Sequence, residues 1–254
     1  MKASLDGSDE GHARRPTLVV YFPLGDPEIP IDGLDVYAER GVDFVEFGWP
    51  AREPYLDGPD VSASMARASL GDPRAALAGA LSRLAAHAHA PKALLMTYGE
   101  ASHPGLEDVS FFHGLDALLV VGSPTDPLRL TLEARARQAG VAISVFLPLP
   151  LTEADIAAAR DADGYVMLQA APGVTGPRAT LDPGNRERIA LLRVAGVRAP
   201  IILGFGLSEG AQARAAVELG ADGVVVGSAA LRAGRRGLSE LETLLRDLRN
   251  DLDD

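Results

Sequence analysis

The chain of 254 residues contains no cysteine. That excludes disulfides, thiolate nucleophiles and thiolate-ligated metal, and it leaves the protein no redox handle. No run approaches the ~18 consecutive apolar residues of a membrane span. The first sixteen residues, MKASLDGSDEGHARRP, hold no apolar leader core. Positive charge is also scarce: 24 Lys and Arg against 35 Asp and Glu give a net charge of −11. Neither nucleic acid nor an anionic membrane would attract such a chain at long range. These absences predict a cytoplasmic protein that can meet a phosphate only locally, through backbone N–H groups.

Apolar residues make up 47% of the sequence, enough to bury a full core, and the length fits one α/β barrel or two small domains. One pattern recurs along it. A helix-like segment ends in Gly, a short Val/Ile/Leu/Phe run follows, and a Gly- or Pro-marked loop comes next. The runs are 18–22, 43–48, 93–97, 116–122, 142–147, 164–169, 200–206 and 222–228, and amphipathic stretches such as 126–140 and 208–221 lie between them. Eight strands alternating with helices predict an α/β fold, a single (β/α)8 TIM barrel. No linker interrupts it, so residues 17–254 are read as the barrel domain and residues 1–16 as a mobile tail. The last helix, 238–251, is expected to lay its Leu stripe on the barrel.

Within the second run, VDFVEFGWP, a carboxylate interrupts an apolar strand. Burying that charge costs several kcal/mol unless the group is paired, neutralised or used. Period-two alternation places Phe44, Glu46 and Gly48 on one face and Val45 and Phe47 on the other. The two large apolar groups suit the helix layer, so Glu46 is expected to point into the barrel mouth. Desolvation there would raise its pKa and fit it for general acid–base work. The plainer alternative is a buried carboxylate paired with Lys92 or an Arg. Asp57, in EPYLDGP, reads about equally well as turn chemistry or as a site group.

Three Gly-rich turns, GVTG (173–176), GFG (204–206) and GSA (227–229), follow the sixth, seventh and eighth runs. Such turns let backbone amides approach an anion, and the last two strand loops of a barrel commonly hold phosphate. His87 and His89 at a helix end fall short of a metal site, and no metal is expected.

With LGDP (24–27), VEFGWPAREPYLDGP (45–59), GVTG, GFGLS (204–208) and VGSA (226–229) in this order and spacing, the sequence resembles the tryptophan synthase alpha subunit family. The resemblance implies retro-aldol cleavage of indole-3-glycerol phosphate to indole and glyceraldehyde 3-phosphate, without a cofactor. It makes Glu46 the acid–base group at indole C3 and the glycerol hydroxyl, and Asp57 the carboxylate that accepts the indole N–H. Gly176, Gly206, Gly227 and Ser228 would hold the phosphate, while Tyr21, Trp49, Met167 and Thr175 would line the substrate pocket.

The sequence also departs from the family's pattern. Met167 stands where a Tyr is usual, Ala171 where an Arg precedes the GVTG turn, Gly122 where an Asp is usual, and Tyr21 where Phe is usual. Trp49 replaces a smaller aliphatic residue beside Gly48. The changed loops are those through which the family communicates with a beta subunit. The expectation is therefore a free-standing lyase whose partner is a phosphorylated indole compound. A true alpha subunit working with a beta-type subunit, a related barrel acting on another phosphorylated substrate, and a non-catalytic regulatory homologue stay open as alternatives.

Overall fold

A computed structural model of the protein describes residues 15–99, 106, 108–171, 173, 176 and 181–254. Nearly all of the tail expected at 1–16 lies outside the described residues, as does Thr175. Each apolar run forms a strand: β1 (Thr17–Pro23), β2 (Phe44–Gly48), β3 (Lys92–Tyr98), β4 (Ala117–Val121), β5 (Ala142–Leu147), β6 (Val166–Gln169), β7 (Ile201–Gly204) and β8 (Gly223–Val226). They pair in parallel and in sequence order, and β8 closes onto β1 through the register Thr17↔Gly223 to Val20↔Val226.

Period two sorts the side chains. Val19, Tyr21, Leu94, Met96, Leu119 and Phe146 pack inside the barrel. Leu18, Val20, Phe22, Val45, Phe47 and Leu95 pack outward under the helices. Both faces are covered, which is why the runs are continuously apolar. Beneath the barrel an aspartate repeats before every second strand. Asp43, Asp116, Asp163 and Asp222 each accept an N–H from the first or second residue of the preceding strand, from Leu18 (2.8 Å), Ala93 (2.9 Å), Ile143 (2.6 Å) and Ile201 (2.6 Å). These bonds satisfy donors that the ladder leaves open at its lower rim.

The alternation of strand and helix is looser than the sequence suggests. Two helices, α2 (Pro59–Ala68) and α3 (Pro73–Leu84), follow β2. Between β3 and β4 the described residues hold only a 3₁₀ turn, Val109–Phe112. Its Phe111 and Phe112 rings, edge to face at 5.4 Å, cover the barrel wall where a helix would otherwise lie. The helices α8 (Ser228–Arg236) and α9 (Leu238–Asp253) both follow β8, separated by Gly237 at φ 129°. Leu241, Leu245, Leu248 and Leu252 of α9 are buried. They pack against α8, α1 (Gly33–Glu39) and α7 (Gly210–Glu218) and join the core that holds Leu18 and Phe22 of β1, so the stripe lies on the barrel as expected. Among the described residues no helix is long and apolar enough to cross a membrane.

Candidate active site

Glu46 lies two residues before the end of β2 and points into the barrel, 4% exposed, as the alternation requires. No Lys, Arg or His among the described residues forms an ion pair with it, so the plainer reading of a paired carboxylate does not hold. Its partner is a phenol: the Tyr165 hydroxyl, just before β6, donates to Glu46 Oε2 at 2.7 Å. Burial pushes the Glu46 pKa up to about 7, the negative charge of Asp57 adds to the rise, and the Tyr165 bond opposes it. A carboxyl group so placed exchanges protons at neutral pH.

Asp57 sits in the loop between β2 and α2. Its backbone does form a turn, with its N–H donating to Pro54 O at 2.9 Å. Its side chain has a second role. Oδ2 accepts a hydrogen bond from the Tyr98 hydroxyl at 2.7 Å, and the Tyr55 ring packs edge to face on Tyr98 at 5.2 Å. The loop is thereby fastened to β3. Arg67 of α2 clamps buried Asp26 of the first loop at 2.9 and 2.6 Å, and Arg232 of α8 reaches Asp60 at 3.0 Å. These pairs tie α2, and with it Asp57, to the loop after β1 and to the helix after β8.

Glu46 and Asp57 line one and the same cavity. Leu56, Val61, Leu119, Val121 and Phe146 form its apolar walls. At the rim stand Gly204 to Leu207, Gly227 and Ser228. Gly227 caps α8, and the first bond of that helix runs from Leu231 N to Gly227 O at 3.1 Å. The N–H groups of the first turn therefore have no acceptor within the helix, and with the helix dipole they favour negative charge at this end. Phe205 holds φ at 77°, a conformation that costs a non-glycine residue about 1–2 kcal/mol. The strain seats its ring beside Phe146 at 5.4 Å and closes the cavity wall.

Tyr21, Glu46, Asp57, Met167, Gly206, Gly227 and Ser228 thus meet in one place. Two expected residues do not join them. Trp49 lies in the outer layer, with its ring on Phe111 at 5.4 Å, because it continues the outward face of Val45 and Phe47; it cannot narrow the cavity. Gly176, at φ 153°, does not line the cavity among the described residues. Tyr98 and Tyr165, the hydroxyl partners of the two carboxylates, were not foreseen. Tyr165 is legible in the sequence, since it lies two residues before Met167 on the same inward face. His87 is occupied elsewhere, its Nε2 lying 2.9 Å from Asp35 Oδ1.

Comparison with known proteins gives the family and the fold. The family model for the tryptophan synthase alpha chain matches residues 8–252. The tryptophan synthase alpha chain of Archaeoglobus fulgidus is 32% identical over 93% of this chain and 98% of its own. That of Geobacter sulfurreducens is 32% identical over 89% and 87%. Among solved structures, Mycobacterium tuberculosis tryptophan synthase superposes with a TM-score of 0.80 at 25% identity, covering 94% of this chain and 93% of that one.

Proposed function

The chain belongs to the tryptophan synthase alpha chain family, and from that membership we propose that it is a carbon–carbon lyase cleaving indole-3-glycerol phosphate to indole and glyceraldehyde 3-phosphate. The observation that carries this reading is the pairing of Glu46 and Asp57 in a single cavity beneath the N-terminus of α8. Protonated Glu46 delivers its proton to indole C3, and Asp57 accepts the indole N–H as positive charge develops on the ring. Ionised Glu46 then removes the proton of the adjacent glycerol hydroxyl. The C–C bond breaks, its electrons return to the ring, and the carbonyl of the aldehyde forms. Two proton transfers and one cleavage need no cofactor chemistry.

The phosphate is held by Gly206, Gly227 and Ser228, which stand together on the cavity. Binding energy from that remote group positions the glycerol chain over Glu46. Met167 adds an apolar surface to the indole slot beside Tyr21.

We read the protein as a free-standing lyase in the cytoplasm. Gly122 and Ala171 stand in two loops that link the family to its beta subunit. The Gly122 carbonyl accepts from the buried Arg129 guanidinium at 2.9 Å, a contact internal to this chain that stiffens the loop without a partner. The experiment is a comparison of wild type with Glu46→Gln on indole-3-glycerol phosphate. Loss of indole release in the variant, with the fold retained, supports the assignment, and undiminished turnover would remove Glu46 from the mechanism.

A further inference from the structure

Among the described residues, one buried hydroxyl beside the two carboxylates has no hydrogen-bond partner. Tyr165 donates to Glu46 and Tyr98 to Asp57. The Tyr21 hydroxyl is fully buried and has no hydrogen-bond partner among the described residues, although it lines the same cavity. A buried hydroxyl left unpaired is unfavourable and calls for an explanation.

The ring is held in place from both sides. The backbone carbonyl of Tyr21 accepts from the Tyr37 hydroxyl at 2.9 Å, and the ring lies over Gly48, where an added Cβ would come within 2.2 Å of the Tyr21 Oη. Gly48 is the residue that makes room for it. At its other end, the Tyr21 Cβ lies 3.8 Å from where a Cβ on Gly227 would stand. Tyr21 therefore runs from the end of β8 to the carboxylates at β2, as β1 lies between those strands in the barrel. Burial, then the charges of Asp57 and Glu46, raise its pKa well above the usual phenol range, so the hydroxyl keeps its proton and can donate.

Resting on the lyase reading, the next step concerns the substrate. Its phosphate lies at β8 and its indole N–H is taken by Asp57. The indole ring carries no other polar atom, and the glycerol chain must cross the gap that Tyr21 spans. We propose that the Tyr21 hydroxyl donates a hydrogen bond to the glycerol oxygen on the carbon next to indole C3, the oxygen that becomes the product aldehyde. As ionised Glu46 takes the proton from that oxygen, the C–C bond breaks, the electron pair returns to the indole ring and the C–O bond becomes C=O. Tyr21 keeps its own proton and stabilises the negative charge that builds on oxygen during the transfer.

The test is Tyr21→Phe, compared with wild type in three measurements: kcat and KM for indole release, affinity for indole-3-propyl phosphate, which has no hydroxyl, and Tm. The expected result is a kcat lower by about 10- to 100-fold, unchanged affinity for the propyl phosphate, and a Tm no lower than wild type. A kcat within about twofold of an active wild type would overturn the inference alone. Weaker binding of the propyl phosphate or a lower Tm would assign Tyr21 to packing and overturn it as well. An inactive wild type would overturn the lyase reading and this inference together.

Discussion

The Tyr165 hydroxyl donates to Glu46 Oε2 at 2.7 Å across the barrel interior, joining residues 119 positions apart. The bond favours the ionised carboxylate and opposes the burial that pushes Glu46 to about 7. Because protonated Glu46 begins the reaction, kcat should fall as pH rises through about 7. Tyr165→Phe removes the opposing bond and should move that limb to higher pH. A pH–rate profile of the two proteins checks the direction, and a limb that moves down or stays fixed would show that Tyr165 does not tune Glu46.

The same burial has a stability signature. Glu46 has its folded pKa raised from 4.5 to about 7, so its contribution is favourable below 4.5 and is lost as pH rises to about 7. Glu46→Gln escapes that loss. The variant should be more stable than wild type by about 3 kcal/mol at pH 8, with the gap closing below pH ~5. Denaturant unfolding at the two pH values reads it directly, and a pH-independent gap would mean that Glu46 is not desolvated.

Asp57→Asn replaces an acceptor facing the indole N–H with a group that also presents donors. Loss of a charge felt mainly in the transition state should lower kcat and kcat/KM together by about 100- to 1000-fold. Steady-state kinetics separates this from a loss of ground-state binding, which would raise KM alone.

The aspartates at the barrel base make the opposite prediction. Asp116→Ala leaves the Ala93 N–H without its side-chain acceptor and should cost about 1 kcal/mol of stability. It lies at the end of the barrel away from the cavity, so kcat/KM should stay at the wild-type value. Thermal unfolding together with initial rates tests both halves.

Much of this was legible from residue parity. The inward aim of Glu46 follows from its place between Phe44 and Gly48, and the same count, applied one residue further, sends Trp49 outward onto Phe111. The size of Trp49 and its nearness to Gly48 suggest the pocket, and its face overrides both. Tyr165 shares the inward face of Met167, but its bond to Glu46 closes only when the eight strands curve into a barrel, which no local pattern reports. The positive φ of Phe205 gave no signal, because the turn that imposes it lies between two glycines and the residue itself is not a turn former. The 3₁₀ turn Val109–Phe112 likewise depends on how two phenylalanine rings fill the outer layer.

The most direct measurement is indole release from indole-3-glycerol phosphate by the purified protein with nothing else added. Steady turnover that disappears in Glu46→Gln is the expected result. Silence of the protein alone, followed by turnover when a beta-type subunit is supplied, would contradict the free-standing role, and silence under both conditions would contradict the lyase assignment itself.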